Sequence, residues 1–163
     1  MYSLPPNAPV NLYEAFAYIG AVQAPSLDDL RLMLVLEAAG KAMYDSLAES
    51  APNAESAQYL RESGLDELKH AERLAEILGL LTGAPCAVPA PEENPYLAEW
   101  EKPRLSMELI ERLASAEANG GALYEGWAQT CSNAEAAALL RMSGREETAH
   151  AQRLHSIAQC LKS

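Results

Sequence analysis

The apolar positions of this chain fall in four long segments rich in Ala and Leu, each bounded by a polar cap or by proline or glycine. Such segments read as helices, because Ala, Leu and Glu favour helix and β-branched residues are few. The first begins at Ser26, where Ser26-Leu27-Asp28-Asp29 has the form of a capping box with Asp in the last place. It ends near Ala51-Pro52, since proline cannot continue a helix. The second starts at the Asn53 cap and runs to about Thr82, stopping at Gly83. The third extends from Ser106 to about Cys131, and the fourth from the Asn133 cap to the end of the chain.

These four segments are one two-helix unit written twice. Aligning residues 26–82 with residues 106–162, an offset of 80, makes 22 of 57 positions identical without a gap. Asn53-Ala54-Glu55 returns as Asn133-Ala134-Glu135, and Ser63-Gly64 as Ser143-Gly144. Residues 83–105 carry Pro85, Pro89, Pro91, Pro95 and Pro103 and read as a connector. Its twenty-odd residues span up to roughly 75 Å when extended. A 29-residue helix is only about 44 Å long. The connector therefore has the reach to return along the bundle and start the third helix parallel to the second. Residues 1–25 form an N-terminal extension in which Asn11-Leu12-Tyr13-Glu14 can cap a short helix, expected to pack Phe16 and Tyr18 against the bundle or a partner chain.

Bulk properties narrow the classes. The 163 residues suit one domain with a substantial core. No apolar run approaches a membrane span, and the first residues lack the basic start of a secretory signal. Cys86, Cys131 and Cys160 have no metal-ligand spacing and read as reduced packing thiols, so the expected location is cytoplasmic. A net charge of -11 argues against nucleic acid and anionic membranes as partners.

The same charge has a second meaning once the repeat is inspected. Glu37 pairs with Glu117 across the offset, and Glu67 and His70 pair with Glu147 and His150. Positions i and i+3 lie about 60° apart around a helix, so each Glu-x-x-His aims a carboxylate and an imidazole the same way. Glu37 and Glu117 follow the apolar runs Leu34-Val35-Leu36 and Ala114-Ser115-Ala116. One Glu from each of two helices with Glu-x-x-His from the other two is the ligand set of di-iron carboxylate bundles. Four carboxylates balance two divalent cations; without cations, buried like charges would force some to protonate. Oxygen and imidazole donors suit iron or manganese, and zinc is compatible.

With those residues in view, the chain resembles the ferritin-like superfamily, in its rubrerythrin and bacterioferritin branch, from residue 26 to the C-terminus. The resemblance implies an all-α, antiparallel four-helix bundle with one long crossover. It implies two iron ions bridged by Glu67 and Glu147, with Glu37 and His70 completing one metal and Glu117 and His150 the other. By the same resemblance, Tyr44 and Tyr124, seven residues after Glu37 and Glu117, donate hydrogen bonds to ligand carboxylates. Asp66 and Glu146 hold the far nitrogen of the opposite copy's metal-bound histidine. Three features depart from the family pattern. No Cys-x-x-Cys pair of a rubredoxin-like domain occurs, so an external electron donor is expected; Gly120 stands where rubrerythrins carry an extra ligand Glu; and no fifth helix of storage ferritins follows.

The leading functional expectation is a di-iron oxidoreductase acting on peroxide or O2, as a homodimer. The alternative is an iron-binding, ferroxidase or storage protein, favoured if the chain assembles into a hollow shell. Substrate hydroxylation, including action on tRNA, and a purely structural metal complete the set, and the negative charge counts against tRNA. His155, Trp100 and Trp127 read as packing or surface residues. Arg61, Arg73, Arg141 and Arg153 read as partners of the acidic surface.

Overall fold

Side-chain caps set the helix starts. The computed structural model describes residues 2–98 and 100–162. It contains α1 (Leu12–Gly20), α2 (Leu27–Glu49), α3 (Ala54–Thr82), α4 (Met107–Thr130) and α5 (Ala134–Lys162), with no strand among the described residues. Ser26 Oγ accepts from the Asp29 N–H at 3.2 Å while Asp29 Oδ2 accepts from the Ser26 N–H at 2.8 Å, so both halves of the capping box form. Asn53 Oδ1 accepts from Ser56 N–H at 2.8 Å, and Ser106 and Asn133 serve α4 and α5 in the same way. Gly83 closes α3 with φ 71°, the left-handed conformation that only glycine adopts cheaply.

The close helix faces are α2 with α3, α4 with α5 and α3 with α5. Small residues set one of these distances: a Cβ on Gly121 would meet Gly144 O at 3.0 Å, so the α4 and α5 backbones touch where both residues are glycine. The apolar interior divides into two halves. One gathers Leu34 of α2, Ile77 of α3, Trp127 of α4 and Leu140 of α5. The other gathers Leu47, Leu60, Ile110 and Leu154 from the same four helices. The N-terminal part of α2 thus lies beside the C-terminal parts of α3 and α4 and the N-terminal part of α5. That is the antiparallel order of a bundle with one long crossover.

The crossover is pinned as it returns. Asn94, 2% exposed, donates its side-chain N–H to Val35 O of α2 at 2.9 Å. Tyr96 Oη donates to Pro9 O at 2.6 Å, tying the crossover to the N-terminal extension. Leu105 N–H then donates to Ser50 Oγ at 3.0 Å, which brings the start of α4 to the end of α2. In the extension α1 forms on its Asn11 cap, but its inward stripe is Ala15 and Ile19. Phe16 stays 41% exposed, and Tyr18 reaches back to donate to Asp29 Oδ1 at 2.8 Å. Within this chain the bundle buries Ala15 and Ile19, and of Phe16 and Tyr18 it meets the Tyr18 hydroxyl, so the expected ring packing is left to a partner chain. No helix of the described residues is long and apolar enough to cross a membrane.

Candidate metal centre

Between the two apolar halves lies one polar layer. Glu37 of α2, Glu67 and His70 of α3, Glu117 of α4, and Glu147 and His150 of α5 are all buried. Ligand-type atoms form two groups, each with its atoms within 4.8 Å of one another: Glu37, Glu67, His70 and Glu147, then Glu67, Glu117, Glu147 and His150. Glu67 and Glu147 belong to both. The six residues singled out from the sequence therefore meet at one place within one chain.

The geometry repeats about a pseudo-twofold. His70 Nδ1 lies 3.2 Å from Glu147 Oε1 and 3.5 Å from Glu37 Oε2. His150 Nδ1 lies 3.2 Å from Glu67 Oε1 and 3.4 Å from Glu117 Oε2. The two rings stack with centroids 5.6 Å apart. Although three carboxylates surround it, His70 Nδ1 makes no properly directed hydrogen bond. A buried polar atom left in that state is costly unless something else satisfies it. A cation among the carboxylates would do so, and the donor set of oxygen and imidazole is the chemistry such a cation requires.

The acid–base state without metal shows the same need. Burial, reinforced by Glu147, pushes Glu117 up to about 8. Burial and the charges of Glu37 and Glu147 push Glu67 well above the usual carboxylate range. Burial alone would lower His70, but its contacts with Glu146, Glu147 and Glu37 carry it up to about 12. His150 rises to about 10 against the same burial effect, through Glu117 and Glu147. The layer recruits protons, which occupy the role that divalent cations would fill.

Around this layer the supporting groups cross between the two halves of the chain. Tyr44 of α2 donates to Glu117 of α4, and Tyr124 of α4 donates to Glu37 of α2. Both hydroxyls are fully buried and titrate well above their usual value, through burial and the surrounding carboxylates, so they remain donors. His70 Nε2–H donates to Glu146 at 2.9 Å, and His150 Nε2–H to Asp66 at 3.3 Å. These acids face the opposite copy's histidine. Burial opposes ionisation of Glu146, yet His70 and Arg73 hold it down at about 2. An ionised acceptor keeps a proton on Nε2, so Nδ1 is the nitrogen that faces the layer and would give up its own proton to a cation.

Two of the arginines read as surface partners belong to this arrangement. Arg73 grips Glu146 with both terminal nitrogens, at 2.5 and 3.0 Å, and Arg153 holds Asp66 at 3.1 Å. Each also reaches a buried serine, Ser143 and Ser63 respectively, at 3.3 Å. The available signal was the identity of both the Arg and the Ser across the 80-residue offset. Arg141 does sit on the surface beside Glu125 at 3.4 Å, and His155 is exposed. Trp127 is core, donating its Nε1–H to Val22 O at 2.7 Å.

Comparisons with curated proteins and with solved structures gave no match. The family model described as Rubrerythrin matches residues 30–158, about four-fifths of the chain, from the start of α2 almost to the end of α5. It takes in all six residues of the polar layer, and the chain belongs to the rubrerythrin family.

Proposed function

We propose that this protein holds two iron ions in the Glu/His layer and is an oxidoreductase that reduces peroxide or O2. The observation that carries the reading is the overlap of the two ligand groups at Glu67 and Glu147. A carboxylate common to both groups could serve both ions. Glu37 with His70 would complete one iron, and Glu117 with His150 the other. Bound iron supplies electrons and open coordination positions for the oxidant.

The chain's own residues prepare that chemistry. Tyr44 and Tyr124 fix the terminal carboxylates Glu117 and Glu37, so those groups do not swing away. Glu146 and Asp66 set the imidazole tautomers, and Arg73 and Arg153 keep these acids ionised and in place. The carboxylates of the layer are at most 7% exposed, which strengthens the electrostatic contacts among them. Four ionised carboxylates carry -4, matched by two ferrous ions at +4, so the loaded layer is neutral with neutral histidines.

The test is metal analysis of protein purified after expression with iron, with an optical spectrum before and after one equivalent of peroxide. Two irons per chain and an oxo-bridged diferric band support the reading. Fewer than one iron per chain after loading, or no spectral response to peroxide, overturns it. Sedimentation separates the storage alternative, which requires a large hollow assembly.

A further inference from the structure

Two bundle helices, α2 and α4, are not among the close helix pairs. Where they part, a cavity of about 340 Å3 opens onto the polar layer. Its floor is formed by the carboxylates of Glu37, Glu67, Glu117 and Glu147. Gly40 and Gly120 leave this floor uncovered. A Cβ on Gly40 would come 3.2 Å from Glu67 Oε2, and one on Gly120 3.6 Å from Glu147 Oε2. Any larger side chain there would stand between the cavity and the shared carboxylates.

The walls have a different chemistry from the floor. Leu36, Leu113 and Leu123 line the sides, and Tyr13 and Phe16 of α1 with Trp100 of the crossover line the mouth. The two α1 rings are 67% and 41% exposed, so burial under the bundle does not account for them. The one cationic residue of the lining, Arg112, is exposed and lies 3.9 Å from Glu108.

Size, walls and floor select an occupant. A cavity of roughly 150 Å3 accepts benzene, so this one has room for a substituted aromatic ring. The aromatic residues at the mouth favour a ring over an aliphatic chain of equal size, through edge and face contacts. A floor of acceptors favours a hydroxyl that donates. Balanced by two ferrous ions, the four carboxylates leave a neutral floor, which offers an anion no counter-charge for its desolvation. The match is a neutral phenolic molecule.

We propose that this cavity binds the electron donor, a neutral hydroquinone or a phenolic reductant of the same class. The proposal rests on the oxidant-reducing reading above, which consumes electrons that some donor must deliver. With peroxide the balance closes without a further reactant. Two O–H bonds of the hydroquinone and the O–O bond of peroxide break. The hydroquinone loses two electrons and two protons, and the products are quinone and two waters.

The experiment is anaerobic titration calorimetry of the full chain, as isolated and after ferrous loading, with methylhydroquinone as probe. Cyclohexane-1,4-diol serves as the aliphatic control and hydroquinone sulfonate as the anionic one. Saturable binding of methylhydroquinone is expected, at least tenfold tighter than either control. Ala116→Phe, which fills the cavity from α4, should weaken it at least tenfold, and Phe16→Ala, which removes an exposed ring without touching the core, several-fold. Melting curves establish that both variants fold. No saturable binding, equal binding of the diol, or binding indifferent to both substitutions overturns the proposal. So does a loss of self-association in Ala116→Phe without probe binding by the wild type, which would assign the cavity to a second copy. Single-turnover ferrous oxidation by peroxide, with no organic donor, separates the two readings. If it proceeds while the probe fails to bind, the donor site alone falls. If it fails, the donor role falls with the reading beneath it.

Discussion

Removing metal should make this fold lose stability as pH rises from 5 to 7, the reverse of the usual behaviour of an acidic protein. Glu117 drives the effect. Its carboxyl titrates near the ordinary value when unfolded and at about 8 when folded. Between those values the native state binds the proton and the unfolded state does not, so stability falls with pH. The linkage over pH 5 to 7 amounts to about 2–3 kcal/mol for this group alone. Glu67 is displaced the same way and adds to it. His70, raised by Glu146, Glu147 and Glu37, contributes in the same direction: its stabilisation is complete below the ordinary histidine value and is lost as pH climbs towards about 12. Acids held low, such as Glu146 at about 2, change stability only below the ordinary carboxylate range, outside this window. For a chain of this length the expected fall in Tm is about 5–10 °C. The assay is calorimetry of chelator-treated protein at several pH values, with metal removal verified. Glu117→Gln, uncharged throughout, should flatten much of the slope. A metal-free Tm that stays level or climbs from pH 5 to 7, or a slope untouched in Glu117→Gln, would refute the reasoning.

Other consequences follow from the same contacts. Metal should stabilise the native state more at pH 7 than at pH 5, because cations displace the recruited protons; the Tm difference between loaded and metal-free protein measures this. Glu67→Ala or Glu147→Ala should lose both irons, whereas Glu37→Ala or Glu117→Ala should retain part of the iron, read by metal stoichiometry. Glu146→Ala should lower metal affinity about 10–100-fold by releasing the orientation of His70, with little change in helix content. Asn94→Ala should cost about 1–3 kcal/mol, because it removes the buried bond to Val35 O and the Oδ1 that accepts from the Tyr96 N–H; denaturant unfolding reports it.

Sequence alone determined the elements and the identity of the polar layer. Caps at Ser26, Asn53, Ser106 and Asn133 and the stop at Gly83 are contacts within one turn of chain, so a short window contains all the information they need. The six Glu and His residues were legible because the 80-residue offset kept their types and spacing, and helical periodicity turned them inward together. Tertiary structure decided what depends on which helices meet. Arg73 and Arg153 look like any surface cations until α3 and α5 pack and bring Glu146 and Asp66 beneath them. The exchange of tyrosines, Tyr44 to Glu117 and Tyr124 to Glu37, is set by α2 facing α4 across the layer. Phe16 was expected to pack on the bundle or on a partner chain; α1 turns Ala15 and Ile19 to the bundle and leaves Phe16 partly exposed beside the cavity. The cavity itself has no local signature: it exists because α2 and α4 stay apart while the other faces close, and a gap between helices is a property of the packing and not of any segment.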